Sequence, residues 1–181
     1  MTLFWATFIV GLLLVLIGIV PLLLATPFEN ACKGMLRSKA AAVILLGLAT
    51  AWFCIEISQL GEPDFGNHKN KLFWGFIIVS FLSYFYVPDF LSVRGLAALL
   101  LLSSDAVLDA AYMEPPVSRL FLVGFTYLVI VISMYLGSLP YRLRDFFDWL
   151  FKASWRPRLL AIILLGYGLF LVGVSFSYPS V

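Results

Sequence analysis

Six stretches of about twenty residues, each apolar almost throughout, follow one another along this chain. An α-helix rises 1.5 Å per residue, so about twenty such residues cross a hydrocarbon core about 30 Å thick. The stretches run from Leu3 to Ala25, Ala40 to Leu60, Leu72 to Leu91, Gly95 to Met113, Arg119 to Leu139 and Leu159 to Tyr178. Turn chemistry separates them at Thr26-Pro27, Gly61-Glu62-Pro63, Glu114-Pro115-Pro116 and Arg156-Pro157. The expected fold is all-α: a single polytopic transmembrane helix bundle of six spans over residues 1–181.

Composition excludes the soluble alternative. Hydrophobic residues make up 62% of the chain and charged residues 12%. A soluble domain is nearer half apolar, with about 25% charged. The first stretch has no basic residue before it and outruns a signal-peptide core, so it reads as a retained helix.

Twelve basic residues orient the bundle. Lys33, Arg37, Lys39, Arg94, Arg142, Arg144, Lys152, Arg156 and Arg158 fall on one side, and Lys69, Lys71 and Arg119 on the other. The positive-inside rule then places the first group in the cytoplasm and both termini outside a cell (cytoplasmic) membrane. Trp5, Trp74, Tyr112 and Tyr178 mark the outer interface, and Tyr141, Trp149 and Trp155 the inner one, as aromatic girdles do. Pro88 and Asp89 interrupt the end of the third stretch. The alternative there is a re-entrant segment over 88–102 and five spans; the charge distribution favours six.

Three acids lie within the spans: Glu56, Asp105 and Asp109. An ionised group at membrane depth is costly and ordinarily faces the bundle interior or a wet cavity. Asp105 and Asp109 are four apart and share a helix face, with Tyr112 close to it. Arg119 opens the next span on the same side. The candidate polar cluster is therefore Glu56, Asp105, Asp109, Tyr112 and Arg119. In one reading it carries a proton or cation, since two close carboxylates raise one pKa. In the other it glues helices, with Asp109 paired to Arg119. Both readings turn the acids inward and leave Leu100 and Val107 on the opposite, apolar-facing side.

Residues 141–152 alternate differently. Leu143, Phe146, Phe147, Leu150 and Phe151 follow the i, i+3, i+4, i+7, i+8 pattern of one helical face, and Arg144, Asp148 and Lys152 are spaced for ion pairs on the other. A short cytoplasmic interfacial helix is expected, anchored by Phe146, Phe147, Trp149 and Leu150 and offering a docking surface for a partner subunit or anionic lipid. Small residues mark expected helix contacts: Gly11 with Gly18, Gly47 with Ala51, and Gly166 with Gly173.

Catalytic chemistry finds little support. No phosphate loop, dinucleotide fingerprint, nucleophile elbow or zinc-helix motif is present. The single His68 excludes bis-histidine haem and multi-histidine metal sites within the chain. Cys32 and Cys54 make no disulfide framework. No metal, cofactor or nucleic-acid partner is expected; membrane lipid and a partner subunit or homo-oligomer are. Three classes of function follow: a small ion, proton or solute translocator using the intramembrane acids, a non-catalytic subunit or scaffold, and, with least support, a lipid-acting enzyme.

Overall fold

A computed structural model describes residues 1–61, 66–86 and 90–178, apart from the side chain of Asn67. The described residues form eight α-helices: α1 Leu3–Leu23, α2 Ala25–Arg37, α3 Lys39–Gln59, α4 Lys69–Tyr86, α5 Leu91–Ala111, α6 Arg119–Ser138, α7 Tyr141–Phe151 and α8 Trp155–Ser175, with a 3-10 turn at Gly66–His68. Five of them, α1, α3, α5, α6 and α8, are long and apolar enough to cross a membrane.

The third expected span, 72–91, is the one that falls short. Its helix, α4, runs from Lys69 to Tyr86 and opens with Lys69-Asn70-Lys71. Only Leu72 to Tyr86 is apolar, about 22 Å of helix against a core of about 30 Å. Residues 87–89, including the Pro88-Asp89 break, lie outside the described residues. The re-entrant alternative is not what α5 shows: it is one continuous helix from Leu91 to Ala111.

A second difference concerns the basic loop after the first span. It is helical. Pro27 is the third residue of α2, within the first turn, where its missing N–H interrupts no hydrogen bond. Phe28, Cys32, Met35 and Leu36 then recur on one side of that helix. Leu36 is buried with Val93 of α5 and Leu143 of α7, and Met35, Phe90, Leu136 and Phe147 pack around them. Phe28 meets Phe151 edge to face at 6.1 Å. On the polar side Lys33 bonds Glu29 at 2.8 Å. That hydrogen bond, with the charges of Glu29 and Asp148, pushes the Lys33 ammonium up from its ordinary value. The pair therefore holds below that raised value and is lost as pH climbs through it. The expected interfacial segment is α7, helical from Tyr141 to Phe151, with Leu143 and Leu150 buried, Phe147 half-buried, and Phe146 and Trp149 exposed.

The main core joins α1, α5, α6 and α8 through Leu3, Leu14, Val107, Leu122 and Leu171. Its tightest seam is α1 on α8. A Cβ added at Gly11 would come 2.9 Å from the Gly168 carbonyl oxygen, and one at Gly18 would come 2.8 Å from that of Ala161. Absent side chains here let two backbones touch. The expectation for Gly11 and Gly18 matches this seam. The expectation for Gly166 and Gly173 does not: a Cβ at either would meet nothing within 4 Å, and Gly168 carries the contact instead. Gly95 of α5 likewise presses on the backbone of Leu45 and Leu46 in α3.

Candidate functional site

Chain direction fixes the levels of the polar groups. Phe53 meets Phe76 with tilted rings, centroids 4.2 Å apart, and Lys69 Nζ donates to the Ser58 carbonyl, so α4 runs back along α3. The start of α5 then lies at the start of α3, where Ser92 Oγ donates to the Leu36 carbonyl at 3.3 Å. Helices α3 and α5 are thus parallel neighbours in contact at Gly95. The same offset carried ten residues further brings Glu56 to about the level of Asp105.

Among the described residues no hydrogen bond or ion pair joins the five residues of the candidate cluster to one another. Asp105 and Asp109 share one face of α5, as their spacing requires, but that face is exposed on the outside of the bundle. Val107, expected on the apolar-facing side, is buried, and Leu100 is half-buried. Helix α5 is buried on two sides: Gly95 presses on α3, while Val93, Ala97, Ser104, Val107 and Ala111 share another side, where Ala97 meets Gly137 of α6. Close backbone approach to α3 at Gly95 and to α6 at Ala97 sets the rotation, and both acids remain exposed in it. Glu56 is exposed too, and accepts a hydrogen bond from Trp52 Nε1 at 3.0 Å one turn before it.

Arg119 serves a different group from the one expected. Its Nη1 donates to the Ala111 carbonyl at 2.9 Å, satisfying an orphan acceptor at the end of α5 with a cation where the helix dipole is negative. Tyr112 ends the same helix with an exposed ring. Among the described residues no ion pair involves Glu56, Asp105, Asp109 or Arg119, and no three His, Cys, Asp or Glu side chains form a metal-holding group.

Two recesses lie between α3 and α4, the first bordered also by the start of α5, and sequence reasoning missed both. The first, of about 560 Å³, sits at the basic end between α3, α4 and α5 and is lined by Arg37, Ser38, Lys39, Tyr84, Phe90 and Ser92 among others. The second, of about 580 Å³, is an almost wholly apolar furrow between α3 and α4, lined by Val43, Gly47, Ala51, Cys54, Phe73 and Phe81 among others. Tyr84 lines both. The Gly47–Ala51 pair, expected to seat a helix, instead floors this furrow: a Cβ at Gly47 would meet nothing within 4 Å.

Five apolar helices of spanning length, packed as one bundle, define a multi-pass membrane protein. No family profile, no curated protein and no solved structure matches the chain.

Proposed function

We propose that this chain is a non-catalytic subunit of a membrane complex, joined to a second membrane protein across the outward face of α5. The observation that carries this reading is the exposure of Asp105 and Asp109 with no partner among the described residues. Asp105 lies four residues past the middle of α5, about 6 Å along its axis, and Asp109 about 12 Å. A central aspartate disfavours insertion by about 2.5–3.5 kcal/mol. Such groups ordinarily find a partner inside protein, and here that protein is another chain. A facing helix with a Lys, Arg or hydroxyl donor supplies the complement. A second copy meeting α5 against α5 would set carboxylate on carboxylate, so the partner is a different chain.

The same reading takes α4 as a sixth, short crossing, with the basic end in the cytoplasm, both termini outside, and α2 and α7 lying in the inner interface. The proton or cation path considered from the sequence belongs, in this arrangement, at the seam with the partner. The acids line neither of the two recesses described above.

The test is purification in mild detergent followed by native mass spectrometry of wild type and of a variant carrying Asp105→Leu and Asp109→Leu. The expected result is a hetero-complex of fixed stoichiometry for wild type, and a folded, partner-free chain for the variant. A wild-type chain that travels alone, or a complex indifferent to both substitutions, would overturn the proposal. Proton or cation flux in proteoliposomes of the complex, compared with Asp105→Asn, tests the path.

A further inference from the structure

We infer that the two adjoining recesses form one binding site for an acidic glycerophospholipid, its phosphate at Arg37 and Lys39 and one acyl chain in the furrow between α3 and α4. The inference rests on the membrane-embedded bundle alone and is independent of the partner proposed for α5, because Asp105 and Asp109 lie toward the opposite end of that helix from Leu91 and Ser92.

The head recess has the right chemistry for a phosphate monoanion. Arg37 ends α2 and Lys39 opens α3, so one residue separates two exposed cations at the mouth of the same cavity. Arginine presents a fork of N–H donors to phosphate oxygens, and lysine adds a compact point charge. Ser38 Oγ accepts from the Ala41 N–H at 3.1 Å as the cap of α3. Its hydroxyl proton remains to donate toward the recess. Aromatic walls, Tyr84 and Phe90, complete a lining that is polar at one end and apolar at the other.

The second recess continues where the first becomes apolar. Tyr84 is common to both, and Ala42 of the head recess is followed at once by Val43 of the furrow. From Val43 to Cys54 the furrow follows α3 for about 17 Å, close to the hydrocarbon depth of one leaflet at about 15 Å. Helix α4 has no buried residue, so it does not close down on α3. Gly47 and Ala51 supply no side-chain bulk, and the space above them stays open. Each recess falls within the usual range of a ligand site, about 300–1,000 Å³. A basic pocket between membrane helices, with an acyl-sized channel leading from it toward the membrane middle, complements a lipid from the cytoplasmic leaflet. A soluble phosphate ester would leave the furrow empty, and a zwitterionic lipid would bring a quaternary ammonium beside Arg37 and Lys39 along with its phosphate.

The experiment uses the full chain, stripped of lipid in mild detergent and titrated with phosphatidylglycerol or phosphatidylcholine of identical acyl chains, with bound lipid counted by native mass spectrometry. One phosphatidylglycerol should bind in preference to phosphatidylcholine, by about 25-fold if each cation near the surface contributes about fivefold. Arg37→Ala with Lys39→Ala should bring the two lipids to equal affinity. Gly47→Leu with Ala51→Leu should weaken both lipids while keeping the preference, because it fills the furrow without touching the head recess. Gly47 faces open space, so this variant keeps the packed seams; an unchanged helical circular dichroism spectrum and melting temperature check it. Equal affinity for the two lipids in wild type would overturn the site. So would undiminished phosphatidylglycerol binding in the furrow variant, or displacement of the lipid by glycerol 3-phosphate at comparable concentration.

Discussion

Asp105 and Asp109 differ in depth by one helical turn, and that difference separates their energetics. Asp109 is two residues from the end of α5, where a side chain can reach the interface. Asp105 is a full turn deeper. In a translocon insertion assay, Asp105→Leu should therefore improve insertion of α5 by about 2–3 kcal/mol, and Asp109→Leu by less than half of that. Equal gains would place the helix differently in the bilayer. Cys32 offers a second measurement at this scale. Burial pushes its thiol up from the ordinary value, so less of it is thiolate at neutral pH. A water-borne maleimide should label Cys32 more slowly than a free thiol at pH 7, with the gap narrowing as pH rises past the usual thiol range. Cys54 is buried in α3, so Cys32→Ser should abolish the signal. With the basic end inside, intact cells should show labelling only after permeabilisation.

Among the elements, the α1–α8 seam and the α3–α4 furrow are opposite uses of glycine. Gly11→Leu forces a side chain into the backbone of α8 and should destabilise the bundle by about 1–3 kcal/mol or more, read as a lower melting temperature in detergent. Gly47→Leu should leave that temperature nearly unchanged. The contrast also marks what the sequence makes legible. Spans are legible because composition and length decide them. Sharing of a helix face is legible because 3.6 residues make a turn, so Asp105 and Asp109 are correctly aligned. Which face turns inward is another matter. On α5 the penalty for exposing acids opposes close packing of Gly95 on one side and of Ala97, Ser104 and Ala111 on another, and packing prevails within this chain. The seven-residue spacing of Ala97, Ser104 and Ala111 was present in the sequence as the signal. Helix α2 was hidden differently: Thr26-Pro27 and Gly34 resemble a loop, while the spacing of Phe28, Cys32, Met35 and Leu36 is that of an amphipathic helix. The recesses were not legible at all, since they arise from the gap between α3 and α4, and no residue pattern states a gap.

At the scale of the whole molecule, the direction of each helix determines how many times the chain crosses. Helices α3 and α5 lie side by side and run the same way, with Gly95 against Leu45 and Leu46. The chain must return between them, and α4 is the segment that does so, running back along α3 from Lys69 beside Ser58. Its apolar part is about 8 Å shorter than the hydrocarbon core. In the proposed six-span arrangement this short crossing would be accommodated by local thinning of the bilayer and by basic residues reaching outward, Lys69 and Lys71. Six crossings put both termini on one side; five put them on opposite sides. Reporters fused separately to the N- and C-terminus, one active only outside and one only in the cytoplasm, should give the same answer at both ends, with outside the expected side. The mismatch adds a quantitative arm. In vesicles of decreasing acyl length, the melting temperature should rise until the bilayer matches α4, whereas lengthening the apolar part of α4 by four leucines after Leu72 should move that optimum to thicker bilayers. Opposite terminal reporters, with an optimum that ignores the length of α4, would make α4 a segment that enters the membrane without crossing it.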